Sequence, residues 1–173
     1  YQFYNGAYHA LPFEWMYIRP AGGLAASAGD MGRFMLAHLQ DGEYNGVRIL
    51  QPDTARLMHT QSYVFDPALT GSAHGFQEST INGRRLIGHG GAFNGFMTAL
   101  QLIPEENAGI YVSFNTAVGS EPLDLVVRKF MDHYLPASPA GGESSGIAGD
   151  SAAVASNAAG DRLSRYTGVY VSS

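Results

Sequence analysis

The sequence predicts an α/β protein of the α+β type, in which an antiparallel sheet is flanked by helices. Between residues 75 and 114, four strand-like segments follow one another with only short turns between them. Strands connected in this way usually pair as antiparallel neighbours. Apolar residues at helical spacing come before this region, after Ser27, and behind it, after Ser120. We therefore expect helices to pack against the sheet.

The N-terminal part of the chain is rich in aromatic side chains. Residues 1–19 show no sustained period, and we interpret them as irregular structure that lines or covers a pocket, with simple core packing as the open alternative. A helix is then predicted to begin at Ser27, with Asp30 three residues later as in a capping box. Gly42 is expected to stop this helix.

The middle of the chain alternates short helices, turns and strands. After a turn at Asn45-Gly46, Pro52 is predicted to lie in the first turn of a short helix, and residues 66–74 are predicted to be a loop. The strands are expected over the following ranges: about 75–80, 84–88, 96–103 and 110–114. Asn82-Gly83 is typical of a two-residue hairpin turn. The last predicted helix begins near Ser120 and ends at Pro136.

Beyond this helix the composition changes. Residues 137–160 are almost entirely Ala, Gly, Ser and Pro, which is typical of a flexible linker. Residues 161–173 regain strand character and are interpreted as the start of a truncated C-terminal β module. Because the chain opens at Tyr1 without an initiator Met and stops within a strand-like run, we expect that it is cut at both ends.

Composition and charge disfavour several classes of function. The net charge is −5 and Lys129 is the only lysine, so the chain has no basic stripe to bind nucleic acid. No apolar run is long enough for a membrane span. The chain has no cysteine, and its six histidines are widely spaced without a carboxylate cluster. We therefore predict no disulfide, no metal site and no cofactor.

The sequence also lacks the usual nucleophile motifs. A Ser-x-x-Lys motif places a lysine one helical turn after the reactive serine, but Val126 stands three residues before Lys129. The Gly-x-Ser-x-Gly elbow is absent as well. Ser27 comes nearest to it and is explained more simply as a helix cap. We therefore expect the nucleophile of any hydrolytic reaction to lie outside this chain.

The stretch from Gly88 to Phe96 is the strongest candidate for a site. His89 follows a strand-like run, and Gly90 and Gly91 follow His89. Glycines without side chains allow backbone amides to approach a ligand closely, and such amides can donate to an oxyanion. A glycine-rich bulge with an incidental histidine is the alternative, and the local pattern leaves both possibilities open.

Three stretches in this order resemble the serine β-lactamase-like family, which includes class C β-lactamases, penicillin-binding carboxypeptidases, D-aminopeptidases and related esterases. They are residues 20–35, with Gly-Gly-Leu before the capped helix, residues 49–58, and residues 88–115. Residues 166–170 are similar to the opening of the β-rich module that some members carry. The resemblance implies that residues 1–136 form the C-terminal part of a β-lactamase/transpeptidase-like domain, incomplete at its N-terminus, and that a helical subdomain completes it.

The resemblance also implies roles for single residues. His89 would stand where many relatives carry the lysine of Lys-Thr-Gly, with Gly90 at the threonine and Gly91 at the glycine. The backbone amide of Ala92 would be one donor of the oxyanion hole. The implied catalytic residues are thus His89, Gly91 and Ala92, and the implied substrate-binding residues are Gly90, Phe93 and Asn94.

The function that the resemblance implies is that of a serine hydrolase. It would act through an acyl-enzyme on an ester, an amide or a D-amino-acid peptide, with the serine, its lysine and a tyrosine motif upstream of Tyr1. The expected partners are a small-molecule or peptide substrate and the missing N-terminal part of the same domain. Alone, the chain is expected to be inactive, and poorly soluble or self-associating.

Two other interpretations compete with this function. A non-catalytic relative could keep the fold as a binding or scaffolding protein. An α/β-hydrolase with His89-Gly90-Gly91 as its oxyanion loop is rejected, because no Gly-x-Ser-x-Gly elbow follows. Nothing in the chain indicates localisation, although family habit suggests the periplasm or a membrane anchor.

Overall fold

The computed structural model describes residues 1–14, 16–17, 21–116 and 120–138. Its strands are β1 (Gln2–Tyr4), β2 (Ala7–His9), β3 (Glu43–Tyr44), β4 (Val47–Arg48), β5 (Gln77–Ile81), β6 (Arg84–Phe93), β7 (Phe96–Ile103) and β8 (Ala108–Phe114). Its helices are α1 (Ala28–Leu39), α2 (Pro52–His59) and α3 (Glu121–Tyr134), with a 3-10 turn at Pro104–Glu106. The predicted linker lies outside the described residues except at positions 137–138, and the predicted module over 161–173 lies wholly outside them.

The central sheet is an antiparallel meander in the order β5-β6-β7-β8, as the turn pattern predicts. On one face, sheet residues share a core with side chains from α1 and α2: Ile87, Leu100, Leu102, Met31, Met35 and Met58. On the opposite face, sheet residues pack against α3: Leu86, Ile103, Val127 and Met131. Helices therefore cover both faces, and the predicted fold class is confirmed.

The N-terminus of α1 carries the predicted capping box. Asp30 N donates to Ser27 Oγ at 3.2 Å, and Ser27 N donates to the Asp30 carboxylate at 3.3 Å. The hydroxyl of Ser27 also donates to this carboxylate at 2.7 Å. These bonds hold the pKa of Asp30 below its usual value. The Ser27 hydroxyl thus serves to start a helix.

The C-terminus of α3 is closed by the β5–β6 turn. Arg84 Nη1 donates to the carbonyl oxygens of Leu135 and Pro136 at 3.1 and 2.9 Å. Asn82 Nδ2 donates to the same Leu135 oxygen at 3.2 Å. Carbonyls at a helix end have no partner within the helix, so these donors satisfy them. The contact fixes α3 on the sheet.

The prediction of irregular structure over residues 1–19 is wrong for its first part. β1 and β2 form an antiparallel hairpin in which Phe3 pairs with Tyr8. The turn between them is Asn5-Gly6, and both residues have positive φ, 49° and 78°. This left-handed pair matches the twist of the flanking strands, as in other Asn-Gly hairpins. The remaining described residues of this segment belong to no helix or strand.

The strand that contains His89 is longer than predicted. The sequence predicts that this strand spans residues 84–88, whereas β6 continues through the glycines to Phe93. Each residue from His89 to Phe93 pairs with one residue of β7 without a bulge. The apolar β7 supplies a continuous partner, and this pairing offsets the poor strand propensity of glycine.

Candidate functional site

The ring of His89 is exposed and lies over its own strand. His89 Nδ1 lies 2.6 Å from the carbonyl oxygen of Gly90. A carbonyl oxygen only accepts hydrogen bonds, so Nδ1 carries a proton and donates it. In the uncharged imidazole the other nitrogen, Nε2, then holds a lone pair and is an acceptor. A lysine in this place would have offered only donors.

Half of β6 has a strand on one side only. β5 pairs with β6 no farther than the pair Gln77–Gly88, whereas β7 pairs with β6 up to Phe93. Residues 86–88 are buried and residues 89–93 are exposed. No strand in the described part of the chain pairs with residues 89–93 on the side away from β7. We refer to this side of residues 89–93 as the open edge.

The register of the hairpins decides which amides face the open edge. In a two-residue hairpin the two residues that flank the turn form backbone hydrogen bonds with each other. Along each strand, every second residue from there on also forms backbone hydrogen bonds with the partner strand. Phe93 and Phe96 flank the β6–β7 turn, so odd-numbered residues of β6 bond to β7. Even-numbered residues of β6 point their amides and carbonyls the other way. Beyond β5 these residues are Gly90 and Ala92, whose amides therefore face the open edge.

The glycines of β6 differ in the space around them. A Cβ at Gly88 would overlap the carbonyl oxygen of Leu100 and the side chain of Gln101. A Cβ at Gly91 would lie 2.7 Å from Thr98 Oγ1, whereas one at Gly90 would lie 3.3 Å from its nearest neighbour, the Thr98 carbonyl oxygen. Gly88 and Gly91 are thus required for close packing of β6 on β7, and Gly90 is the least crowded of the three.

A cavity of about 510 Å³ adjoins the start of the open edge. Its lining comes from β5, β6 and α3 and includes Gln77, Ser79, Gly88, His89, Gly90, Asp124, Val127 and Arg128. Gln101 also lines it, and its Oε1 is buried without a hydrogen-bond partner in the described structure. Polar groups of the sheet therefore line the same cavity as His89 and Gly90, the first two residues of the open edge.

A buried ion pair supports the sheet beside this cavity. The Glu78 carboxylate accepts hydrogen bonds from Arg85, from Gln61 Nε2 at 2.5 Å and from the Gly71 amide at 3.2 Å. Burial alone would raise the pKa of Glu78, but these donors hold it below its usual value. Arg85 also donates to the carbonyl oxygen of His59 at 2.6 Å. The network fastens α2 and the loop before β5 to β6.

The structure brings together most of the residues that the sequence singled out. His89, Gly90, Gly91, Ala92 and Phe93 follow one another along the open half of β6, and Asn94 lies in the turn after it. The Asn94 side chain is already engaged, because its Nδ2 donates to Glu14 Oε2 at 2.7 Å. This bond ties the segment after β2 to the β6–β7 turn.

Sequence reasoning missed two groups of polar residues. One is the network of Glu78 and Arg85, and the other is a contact between His38 and His59. Both join residues from different elements, and no local motif marks them. Within the described ranges, no group of three or more His, Asp or Glu side chains is placed to hold a metal ion. The described helices are each too short or too polar to cross a bilayer.

The family model described as Beta-lactamase matches residues 2–129. Among solved structures, the chain is similar to the octameric penicillin-binding protein homologue from Pyrococcus abyssi, with 20% sequence identity and a TM-score of 0.47. The match covers 61% of this chain and 26% of that protein, so the chain spans about a quarter of its length. No curated protein matches the sequence.

Proposed function

The chain belongs to the beta-lactamase family, and on this premise we propose that it forms the C-terminal part of the catalytic domain of a serine hydrolase. In this proposal a serine outside residues 1–173 attacks an ester, an amide or a D-amino-acid peptide. His89, Gly91 and Ala92 belong to the catalytic site, and Gly90, Phe93 and Asn94 border the substrate. The chain by itself would then have no hydrolytic activity.

The open edge is the observation that carries this proposal. The amide of Ala92 faces solvent from a strand that is fixed by β7 on its other side. A rigid, unpaired amide of this kind is suited to donate to an oxyanion, because it needs no reorganisation when charge develops. The amide of Gly90 faces the same way and is available to a carbonyl group of the substrate. The motif resemblance and the strand geometry thus point to the same backbone atoms.

The proposed reaction has two steps. The serine oxygen bonds to the carbonyl carbon of the substrate while a base beside the serine takes the hydroxyl proton. The bond from this carbon to the alcohol or amine then breaks, and the leaving group departs with that proton. Water hydrolyses the acyl-enzyme, which releases the acid and restores the serine. In both steps the Ala92 amide donates to the negative oxygen of the tetrahedral intermediate.

The test is labelling with a fluorophosphonate probe, which reacts with activated serines. The chain of residues 1–173 and the complete gene product are treated side by side, and the modified peptide is mapped by mass spectrometry. We expect label only on the complete product, at a serine followed three residues later by lysine. Heat-unfolded complete product controls for labelling that does not depend on the fold.

Two results would contradict the proposal. A labelled serine inside residues 1–173 would mean that the chain carries its own nucleophile. Complete absence of label, with hydrolysis of neither esters nor amides, would favour the non-catalytic relative that serves as a binding or scaffolding protein.

A further inference from the structure

We propose that Glu14 is a positioning residue for the open edge: through Asn94 it holds the β6–β7 turn in a conformation that sets the direction of the Ala92 amide. This inference rests on the proposed function, in which that amide donates to the oxyanion. It is carried by the backbone conformation of the turn, by the hydrogen bond between Glu14 and Asn94, and by the packing of the N-terminal segment on Gly95.

The first observation is that the β6–β7 turn differs from three other turns with the same sequence. Four hairpins of the described structure have Asn-Gly as their turn. In three of them both residues have a positive φ: 49° and 78° at Asn5-Gly6, 52° and 78° at Asn45-Gly46, and 54° and 75° at Asn82-Gly83. In the fourth, Asn94-Gly95, only Gly95 has a positive φ, 71°. The β6–β7 turn thus has the φ pattern of type II, and the other three have that of type I′.

The type II pattern is the less favourable one for a two-residue hairpin. Type I′ turns match the right-handed twist of the paired strands, whereas type II turns splay these strands apart. Because asparagine followed by glycine favours type I′, the sequence of the β6–β7 turn and its conformation disagree. A disagreement of this kind requires contacts from elsewhere in the fold that stabilise the less favoured turn.

The segment that follows β2 supplies these contacts. Asn94 Nδ2 donates to Glu14 Oε2 at 2.7 Å, a short bond to a charged acceptor. On the second residue of the turn, a Cβ at Gly95 would lie 3.0 Å from Leu11 Cδ1, so the same segment also packs on Gly95. Rotation of φ at Asn94 into the left-handed region would swing its side chain away from Glu14. The bond and the type II turn are therefore coupled.

Asn82 shows that a hydrogen-bonded asparagine can still be left-handed. Its Nδ2 donates to Asp132 Oδ1 and to the Leu135 carbonyl oxygen, both at 3.2 Å, and its φ is 54°. The position of the acceptor, and not the bond as such, therefore decides the turn type. Without the acceptor on Glu14, we expect Asn94 to adopt the type I′ conformation of its counterparts.

A change of turn type would reach the Ala92 amide, which lies two residues before Asn94. Type I′ gives the adjoining strands a different twist. Beyond Gly88, β6 pairs with β7 but not with β5, so β5 does not resist this twist. A misplaced donor stabilises the developing oxyanion less, and this cost appears in the transition state more than in substrate binding. Loss of Glu14 should therefore lower kcat more than it raises KM.

The first experiment compares crystal structures of the complete gene product and its Glu14→Ala variant. In the variant we expect φ of Asn94 to change to about +50°, as in the three type I′ turns. Glu14→Gln keeps an oxygen that can accept from Asn94 Nδ2 and is expected to keep the type II turn. Glu121→Ala is the matched control, because it removes an exposed carboxylate from the first turn of α3.

The second experiment measures the initial rates of p-nitrophenyl acetate hydrolysis by the same proteins. For Glu14→Ala we expect kcat to fall about tenfold, with KM changed less than about twofold. For Glu14→Gln and Glu121→Ala we expect kcat to remain within about twofold of the unmodified value.

The variant Asn94→Pro isolates the turn conformation from the hydrogen bond. Proline fixes φ near −65°, which is compatible with type II and excludes type I′. In this background Glu14→Ala is expected to cause no further decrease in kcat, because the turn no longer needs Glu14.

Each outcome decides between parts of this inference. A type II turn that persists in Glu14→Ala would assign the conformation to the packing of Leu11 on Gly95 and overturn the role of Glu14. A decrease in kcat that remains in full in the Asn94→Pro background, or an inactive Asn94→Pro protein, would overturn the link between turn type and the Ala92 amide. If the unmodified gene product neither hydrolyses the ester nor takes up the fluorophosphonate label, the proposed function itself is wrong.

Discussion

His38 and His59 meet ring to ring between α1 and α2, with Nδ1 of His38 3.1 Å from Nε2 of His59. His38 is buried, and its ring packs edge-on against Phe34 and Phe76. One of the two facing nitrogens must donate and the other must accept, so the bond requires that at least one ring is uncharged. The pair links two helices that pack on the same face of the sheet.

The surroundings of the pair disfavour protonation of both rings. Burial lowers the pKa of His38 to about 4, and the neighbouring His59 contributes in the same direction. Burial also lowers the pKa of His59, as does Arg85, while Asp41 and Glu105 oppose the shift. Arg85, Asp41 and Glu105 come from three different parts of the fold around α2. Two further charged groups bind them: Arg56 bonds to Asp41, and Glu78 bonds to Arg85.

The first prediction is a loss of stability in acid. Both histidines bind a proton more readily in the unfolded chain, where their pKa is near 6.5, than in the folded one. The free energy of unfolding is therefore unaffected by these histidines above about pH 6.5, and it decreases as the pH falls from 6.5 toward 4. For each pH unit by which the solution becomes more acidic in this window, each of these histidines raises the unfolding equilibrium constant by up to about tenfold. Urea unfolding followed by circular dichroism from pH 8 to pH 4 measures this slope.

The variant His38→Gln tests the source of that slope. Glutamine retains a donor for His59 but cannot take up a proton, so the slope between pH 6.5 and 4 should decrease by up to one proton. His133→Gln removes an exposed imidazole at the end of α3 and serves as the control. An unchanged slope in His38→Gln would show that the pair is not responsible for the acid sensitivity.

The second prediction contrasts two glycines of β6. Gly88→Ala forces a Cβ against Leu100 and Gln101 in the buried half of the strand, and it is expected to reduce the free energy of unfolding by about 1–3 kcal/mol. Gly90→Ala places its Cβ at 3.3 Å from Thr98 in the exposed half, so the loss should be smaller, below about 1 kcal/mol. Denaturant unfolding of both variants measures the difference. Equal losses would mean that crowding does not distinguish the two positions.

Much of the fold was predictable because local signals agreed with it. Asn82-Gly83 marks the first hairpin of the sheet, and Ser27 with Asp30 marks the start of α1. The same dipeptide at Asn5-Gly6 forms the turn of the β1–β2 hairpin, although the aromatic residues of this segment show no sustained period. A dipeptide that permits two left-handed residues is thus more informative here than the period of the flanking side chains.

The candidate site was only partly predictable. The glycines beside His89 indicate a close backbone approach, and this is visible in the sequence. The open edge, in contrast, depends on where β5 stops pairing, at Gln77. The His38–His59 contact depends on the packing of α1 against α2. Both are tertiary relationships between distant residues, and local propensity carries no information on them.

The third prediction concerns self-association of the chain. β8 is the last strand of the described sheet, and large apolar side chains are exposed, among them Leu24 at 78% and Phe65 at 70%. Unpaired strand edges and exposed apolar surface both favour association. Light scattering after gel filtration should give a mass above the 18.5 kDa of the chain. A monomer that melts cooperatively would contradict this expectation.

A proline on β8 separates edge pairing from apolar association. The backbone hydrogen bonds alternate in direction along β6, β7 and β8. In this register the odd-numbered residues of β8 direct their amides away from β7. Ser113 is one of them, and Ser113→Pro removes an outward amide without breaking a bond to β7. We expect this variant to associate less than the unmodified chain. An unchanged mass would assign the association to the apolar side chains.

The fourth prediction tests the proposed oxyanion donor with two prolines. Ala92→Pro removes the amide that faces the open edge, and no bond to β7 is lost, because the register directs this amide away from β7. In the complete gene product we expect kcat for ester hydrolysis to fall by about 100–1000-fold. Gly90→Pro removes the other amide of the open edge and is the matched control for strand distortion. Its effect should be much smaller, since the proposed function has the Gly90 amide bordering the substrate and the Ala92 amide donating to the developing oxyanion. Equal losses in both variants would indicate damage to the strand, and no loss in Ala92→Pro would exclude this amide as the donor.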